Sequence, residues 1–158
     1  MEKGLNFWIK EKFQLPEVDV ATYSPLALAY IGDGIYDLII RSIVVGRGNT
    51  KASKLHMTTS QLVKAHAQSE MMRVIEPVLT EHEEEIFHRG RNAKSPTMAK
   101  NATMTDYRRA TGFEALMGYL YLTDQTERIF ELVELGLESY DEKTGKIRKN
   151  TDRDPEDR

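Results

Sequence analysis

Two carboxylates stand in surroundings where an acid needs a reason to be. In the run PLALAYIGDGIYDLII, the charged side chains between Asp19 and Arg41 are Asp33 and Asp37 alone. In ATGFEALMGYLYLT, Glu114 is the single charge between Arg109 and Asp124. Both segments are apolar nearly all round, the pattern of a helix buried in a core. An ionised carboxylate taken out of water needs a cation or strong hydrogen bonds to compensate it. Glycines surround each acid, Gly32 and Gly34 beside Asp33, Gly112 and Gly118 beside Glu114. Each costs a helix interior about 1 kcal/mol relative to alanine, a cost usually offset by close approach of a helix or ligand. Two such helices can pack with both acids converging. A convergent pair with spare coordination positions suits magnesium, a hard ion held by one or two carboxylates plus water and substrate phosphate. There the ion would polarise a phosphoryl oxygen and activate water. A lone acid on an apolar helix can equally be partly exposed, or form half of an internal ion pair with an arginine. Asp37, four residues after Asp33 on the same face, could add outer charge to the site, but facing solvent is the simpler reading.

The elements that must position these acids read as helices almost throughout. Asn6 to Leu15 is a short amphipathic opening that Pro16 ends. Ser24-Pro25 makes a good helix start, a hydroxyl cap followed by proline at the first helical position. The apolar run from Leu26 to Val45 stops at the turn cluster Gly46-Arg47-Gly48-Asn49. Thr50 caps a segment from Lys51 to Thr58, and a long amphipathic helix is expected from Ser60 to Ile75. Another runs from Thr80 to Arg89, and Gly90 to Thr103 reads as a basic loop with a short helical piece. Helices from Asp106 to Leu122 and from Gln125 to Tyr140 finish a catalytic-type domain spanning 1–140. Strand signals are weak, because β-branched alternation is missing. The charged tail 141–158 lacks periodicity and is expected to be loose. No internal repeat is present.

Composition limits the classes of function. A chain of 158 residues, 40% hydrophobic and 30% charged, has room for one domain with a real core. With no cysteine there can be neither disulfides nor thiolate metal sites, which fits a reducing cytoplasm. Met1 to Leu15 has no apolar stretch of signal-peptide type, and nothing approaches the roughly 18 apolar residues of a membrane span. The net charge of -3 hides an asymmetry. From Glu76 to Glu85 every charge is acidic. From Arg89 to Arg109 the balance reverses, with Arg89, Arg91, Lys94, Lys100, Arg108 and Arg109 opposed only by Asp106. A second basic series runs Arg41, Arg47, Lys51, Lys54, Lys64. Local field rather than net charge decides whether a phosphate backbone docks, although solvated helix faces cluster charge in the same way. The histidines His56, His66, His82 and His88 lack zinc spacing, and Met71 and Met72 read as core filler.

At the two acidic helices the sequence resembles the ribonuclease III family. AYIGDGIYDLII is similar to that family's signature helix, and TGFEALMGYLYL resembles its second metal-binding helix. The resemblance runs from Ser24 to Tyr140. It departs from the family at two positions: the glutamate four residues before the signature aspartate is here Ala29, and the aspartate three before the second-helix glutamate is Thr111. Only Asp33 and Glu114 therefore carry over as catalytic metal ligands, which puts a second tightly held metal in doubt. The sequence ends where a double-stranded-RNA-binding domain usually follows. That shortness, together with Arg89-Gly-Arg-Asn-Ala-Lys94, resembles the short branch of the family that consists of the catalytic domain only. The resemblance implies an all-α homodimer in the cytoplasm that cuts double-stranded RNA with Mg2+. It further implies maturation of the ends of 23S ribosomal RNA, with a large-subunit ribosomal protein helping to present the substrate. Arg89, Arg91, Lys94 and Lys100 would contact RNA phosphates. With half of the carboxylate set missing, a duplex-RNA-binding protein impaired in catalysis is the alternative.

Overall fold

The computed structural model describes residues 3–94 and 103–148. Its helices are α1 (Leu5–Lys12), α2 (Pro25–Gly46), α3 (Ala52–Val63), α4 (Ala65–Ile75), α5 (Glu81–Asn92), α6 (Met104–Leu122) and α7 (Thr126–Ser139). Among the described residues the domain is all-α apart from a small C-terminal hairpin, and α6 is its axis, with α2, α4, α5 and α7 packed around it.

Local chemistry starts these helices. Ser24 accepts a hydrogen bond from the Ala27 N–H, with Pro25 in the first turn of α2. Thr80 and Glu83 close a reciprocal capping box on α5. Thr103 caps α6 through the Asp106 N–H at 3.0 Å. The core then collects on α6, where Phe113, Leu116, Met117 and Leu120 are fully buried against Tyr36, Ile40, Met71, Met72 and Ile75. Tyr36 packs edge-on to Phe113 and donates its hydroxyl to the Leu62 carbonyl at 2.7 Å, which locks α2 against both α6 and α3.

The α2–α6 crossing is closer than any side chain allows. A Cβ on Gly32 would lie 1.7 Å from the Glu114 carbonyl oxygen, and one on Gly118 would lie 1.9 Å from that of Leu28. These two glycines therefore serve helix-to-helix approach, as their cost in helix propensity implied. A Cβ on Gly112 would strike Phe87 of α5. Gly34 meets nothing within 4 Å and serves no such contact inside the chain.

The structure differs from the sequence-based expectation at the start of α3, where Lys51 and not Thr50 takes the N-cap position, and in four further places. The single helix expected over Ser60–Ile75 is broken at Lys64, whose extended ψ of 154° separates α3 from α4. Neither glycine nor proline marks that break; Gln68 supports it by donating to the freed Val63 carbonyl at 2.8 Å. Second, α5 continues past Gly90 to Asn92, so Arg91 belongs to a helical last turn and not to a loop. Gly90 does not stop the helix: a Cβ there would meet Ala115 and Gly112 at 2.7 and 2.9 Å, so it is again a close-approach residue.

Third, residues 141–148 of the tail expected to be loose are ordered, and 149–158 lie outside the described residues. Strands β1 (Tyr140–Asp141) and β2 (Lys146–Ile147) pair antiparallel, and Gly145 takes the positive φ of 67° just before β2. His66 fixes this hairpin by contacting the Gly145 carbonyl at 2.6 Å and the Asp106 carboxylate at 2.9 Å. The folded unit thus extends beyond residue 140. Fourth, α2 is not buried all round. Tyr30, Leu38 and Val45 are 84%, 50% and 60% exposed, along one stripe of the helix.

Candidate active site

Asp33 and Glu114 meet. Both line one cavity of about 320 Å³ at the α2–α6 crossing, with Ala29, Tyr30, Lys64, Tyr107 and Thr111 among its walls. The convergence follows from the glycine contact: Gly32, the neighbour of Asp33, lies directly on the backbone of Glu114. Asp33 sits at the exposed rim and Glu114 is half-buried below it.

Their electrostatics fit a missing positive charge. Burial and the nearby Asp33 push the Glu114 carboxyl up to about 8, while a hydrogen bond from Gln68 pulls the other way. Burial and Asp37 raise Asp33 as well. Two acids in one cavity that resist joint ionisation form a donor set that a divalent cation completes. Asp37 itself pairs with Arg41 at 2.6 Å on the surface, so it has a partner outside the cavity.

Ala29 and Thr111, the positions where the two related motifs carry further acids, both line the same cavity. Neither replaces a carboxylate. Ala29 has no ligand atom, and the Thr111 hydroxyl donates to the Tyr107 carbonyl at 3.0 Å.

Of the basic residues, Arg89 and Lys94 are exposed and Arg91 is half-buried, its guanidinium 5.8 Å from the Phe87 ring centroid. Gly90, between the two arginines, lies against Thr111 and Gly112 of α6, and Thr111 lines the cavity. Lys100 lies outside the described residues.

Two participants lie outside the site assignment made from the sequence. Lys64 reaches the cavity only because the α3–α4 break swings it there. Gln68 is 1% exposed and adjoins Glu114. A signal for it does exist: Gln68 shares the i, i+3, i+4, i+7 face of Met71, Met72 and Ile75, a polar residue at a core position. Elsewhere, Glu76, Glu84 and His88 bring potential ligand atoms within 4.8 Å of one another, with Glu84 and His88 one helical turn apart on α5.

An all-helical domain with two acids in a cleft between crossing helices defines a class, and comparison with known proteins gives it a name. The family model for the Ribonuclease III domain matches residues 26–125. Mini-ribonuclease 3 of Clostridium tetani is 45% identical over 138 residues, covering 87% of this chain and 90% of that protein. The Mini-ribonuclease 3 of Enterococcus faecalis is 51% identical over 117 residues, 73% of this chain and 89% of its own length. That of Thermoanaerobacter is 42% identical over 142 residues, 90% of this chain and all of that protein. Protein FN1578 from Fusobacterium nucleatum, a crystal structure 30% identical, superposes with a TM-score of 0.70 over 77% of this chain and 98% of its own. The chain belongs to the ribonuclease III family, within its Mini-ribonuclease 3 group. It is an endoribonuclease acting on double-stranded RNA. Among the described residues, no helix is long and apolar enough to cross a membrane.

Proposed function

We propose that the protein is a magnesium-dependent homodimer in which Asp33 and Glu114 are the catalytic metal ligands, and that it matures the ends of 23S ribosomal RNA in the cytoplasm. The observation that carries the site is the shared cavity: two isolated acids, 81 positions apart by subtraction of their numbers, face one space at the α2–α6 crossing. The ribosomal substrate and the help of a large-subunit ribosomal protein rest on the family resemblance.

Each side chain has a physical task. Asp33 at the rim and Glu114 below it would hold the ion and set its distance from an incoming phosphate. Bound Mg2+ supplies Lewis-acid polarisation of the phosphoryl oxygen and activation of water. Lys64, on the same wall, is placed to neutralise phosphate charge. Arg89, Arg91, Lys94 and Lys100 would contact neighbouring phosphates, an interaction that fixes register without reading sequence. A-form RNA offers a wide, shallow minor groove and regularly spaced phosphates, so a rigid protein recognises it by shape.

The dimer is supported by the apolar stripe of α2. Leu38, Ile39, Ile43, Phe130, Val133 and Leu137 line a groove of about 490 Å³ between α2 and α7, and Phe130 is 51% exposed. A second copy applied there by twofold symmetry would bring two sites to opposite RNA strands and give staggered cuts.

The test uses pure protein, long double-stranded RNA and magnesium. Asp33→Asn and Glu114→Gln should each lower cleavage by about 10³-fold or more, the scale of losing metal-supplied stabilisation of the transition state. Both should keep the helical fold, and binding to RNA should persist. Acid variants that cut at the parental rate would overturn the site assignment. Parent protein that binds duplex without producing fragments would favour the impaired-binder alternative.

A further inference from the structure

His66, at the start of α4, joins three parts of the chain. Its Nδ1 lies 2.9 Å from the Asp106 carboxylate in the first turn of α6, and its Nε2 lies 2.6 Å from the Gly145 carbonyl just before β2. Both partners are acceptors only. A neutral imidazole has one N–H and one lone pair, so it would satisfy one oxygen and aim its lone pair at the other. The imidazolium alone donates to both. The Asp106 carboxylate accordingly holds the ring above its ordinary 6.5, against burial, which works the other way. The other charges around the ring are shared ones. Glu70, one turn further along α4, adds negative charge to the site while accepting from Arg73 at 3.0 Å and from the Ile147 N–H. Arg109 of α6 lies in the field of both acids. In the hairpin, Glu142 pairs with Arg47 at 3.9 Å, Asp141 accepts from the Lys143 N–H, the Tyr140 hydroxyl adjoins Gly145, and Lys143 and Lys146 are exposed.

The contact is joined by sequence to the active site. Lys64 and Ala65, immediately before His66, line the cavity that Asp33 and Glu114 share, and so does Tyr107, immediately after Asp106. We propose that His66 is a proton-dependent positioning residue, its imidazolium clasping the C-terminal hairpin and tying together the α4 and α6 walls of the cavity, so that loss of the proton releases one bond and loosens both. The ring is part-exposed, which gives solvent access to that proton. The clasp is closed below the folded-state value of His66 and opens as pH rises through it. This inference does not depend on the reading of Asp33 and Glu114 as cation ligands.

The experiment follows metal-free, full-length protein by NMR from about pH 5 to 9, around the ordinary histidine value, with nitrogen-15 in the histidine rings. His66 should titrate with a midpoint above 6.5 and carry a proton on both ring nitrogens below it. A midpoint at or below 6.5, or a single ring proton throughout, would overturn the proposal. The Gly145 and Arg148 N–H groups bond the Asp141 and Ser139 carbonyls and report on the hairpin. Their protection from hydrogen exchange, corrected for the pH dependence of the chemical step, should fall about tenfold or more across that midpoint, the effect of one lost charge-assisted hydrogen bond. Protection that stays level through the titration would refute the clasp, and this readout needs no variant to fold. In His66→Phe, protection should be low at every pH, and protection at the parent's acid-side level would refute it equally. For the cavity wall, the Tyr107 ring resonances should show a transition at the His66 midpoint that His66→Phe lacks. Identical Tyr107 titrations in the two proteins would sink the tie to the active site.

Discussion

Helix α2 is the more apolar of the two acid-bearing helices in sequence, yet α6 is the more completely buried. On α6, nine residues from Ala110 to Leu120 are buried by the chain itself. On α2 the buried positions, Leu28, Ala29, Gly32, Tyr36, Ile40 and Val44, form a single stripe, and the reverse side carries Tyr30, Leu38 and Val45 in the open. The two acids inherit this difference. Glu114 is half-buried and pushed up to about 8, while Asp33 stands at the exposed rim with a raised but smaller response. Apolar periodicity announces that a face will be covered; it does not say whether the cover comes from the same chain.

The contact joining the two helices is where the contrast can be broken most severely. Gly118→Ala would place a methyl group 1.9 Å from the Leu28 carbonyl oxygen, and Gly32→Ala one 1.7 Å from that of Glu114. The obstacles are backbone atoms, so no rotamer change relieves them and the helices must separate. Each change should destabilise by about 3 kcal/mol or more, beyond the gain in helix propensity of about 1 kcal/mol. Urea unfolding reads the loss directly. Near-parental stability in either variant would mean that the crossing is looser than described, and with it the convergence of Asp33 and Glu114.

That crossing is largely legible in the sequence, because an acid in an apolar helix and a glycine beside it are both local costs that demand a tertiary cause. Gly32 and Gly118 supply it and Gly34 does not, a difference that depends on which face meets α6 and so on packing. The α3–α4 break is illegible for the opposite reason. Lys64 has no local preference for an extended conformation; the corner is held by Gln68 and by the burial of α4 against α6, interactions that exist only in the folded chain. The hairpin from Tyr140 to Ile147 is hidden likewise, since a two-residue strand has no period to detect and is secured by His66 and Glu70 of α4. Arg91 falls in the expected neighbourhood but in a different element, because Gly90 has the sequence look of a breaker and acts as a contact.

The unequal burial of the acids predicts an unequal dependence on pH. In metal-free protein the folded state raises Glu114 from its ordinary 4.5 to about 8, so between those values the folded chain holds a proton that the unfolded chain has released. Stability should therefore fall as pH rises from about 4.5 to 8 and level off above, by about 2–3 kcal/mol after discounting for residual solvent contact. Glu114→Gln should flatten most of that slope and be more stable than the parent at pH 8. Magnesium should restore the parent's stability there by favouring the charged form. Thermal unfolding across pH, with and without magnesium, checks each part. A slope that survives in Glu114→Gln near neutral pH would point to His66, raised by its bond to Asp106, and one that survives at lower pH to Asp33.

The smallest effect concerns the open side of α2, where the comparison becomes sharpest. Leu38 is half exposed, so Leu38→Glu should change the stability of a single protomer by no more than about 0.5 kcal/mol. If a second copy covers the α2–α7 groove, the same change buries a carboxylate near Glu134 and Glu138, which line that groove. The dimer should then weaken by about tenfold or more, equivalent to about 1.4 kcal/mol. Sedimentation at several concentrations measures the shift, and the pattern of cuts provides an independent reading. Paired staggered cuts should give way to single-strand nicks as the dimer is diluted away, because each protomer carries its own Asp33 and Glu114. A parent that sediments as a monomer at every concentration would leave the stripe uncovered, and the difference between α2 and α6 would then be one of exposure alone, without a partner to complete it.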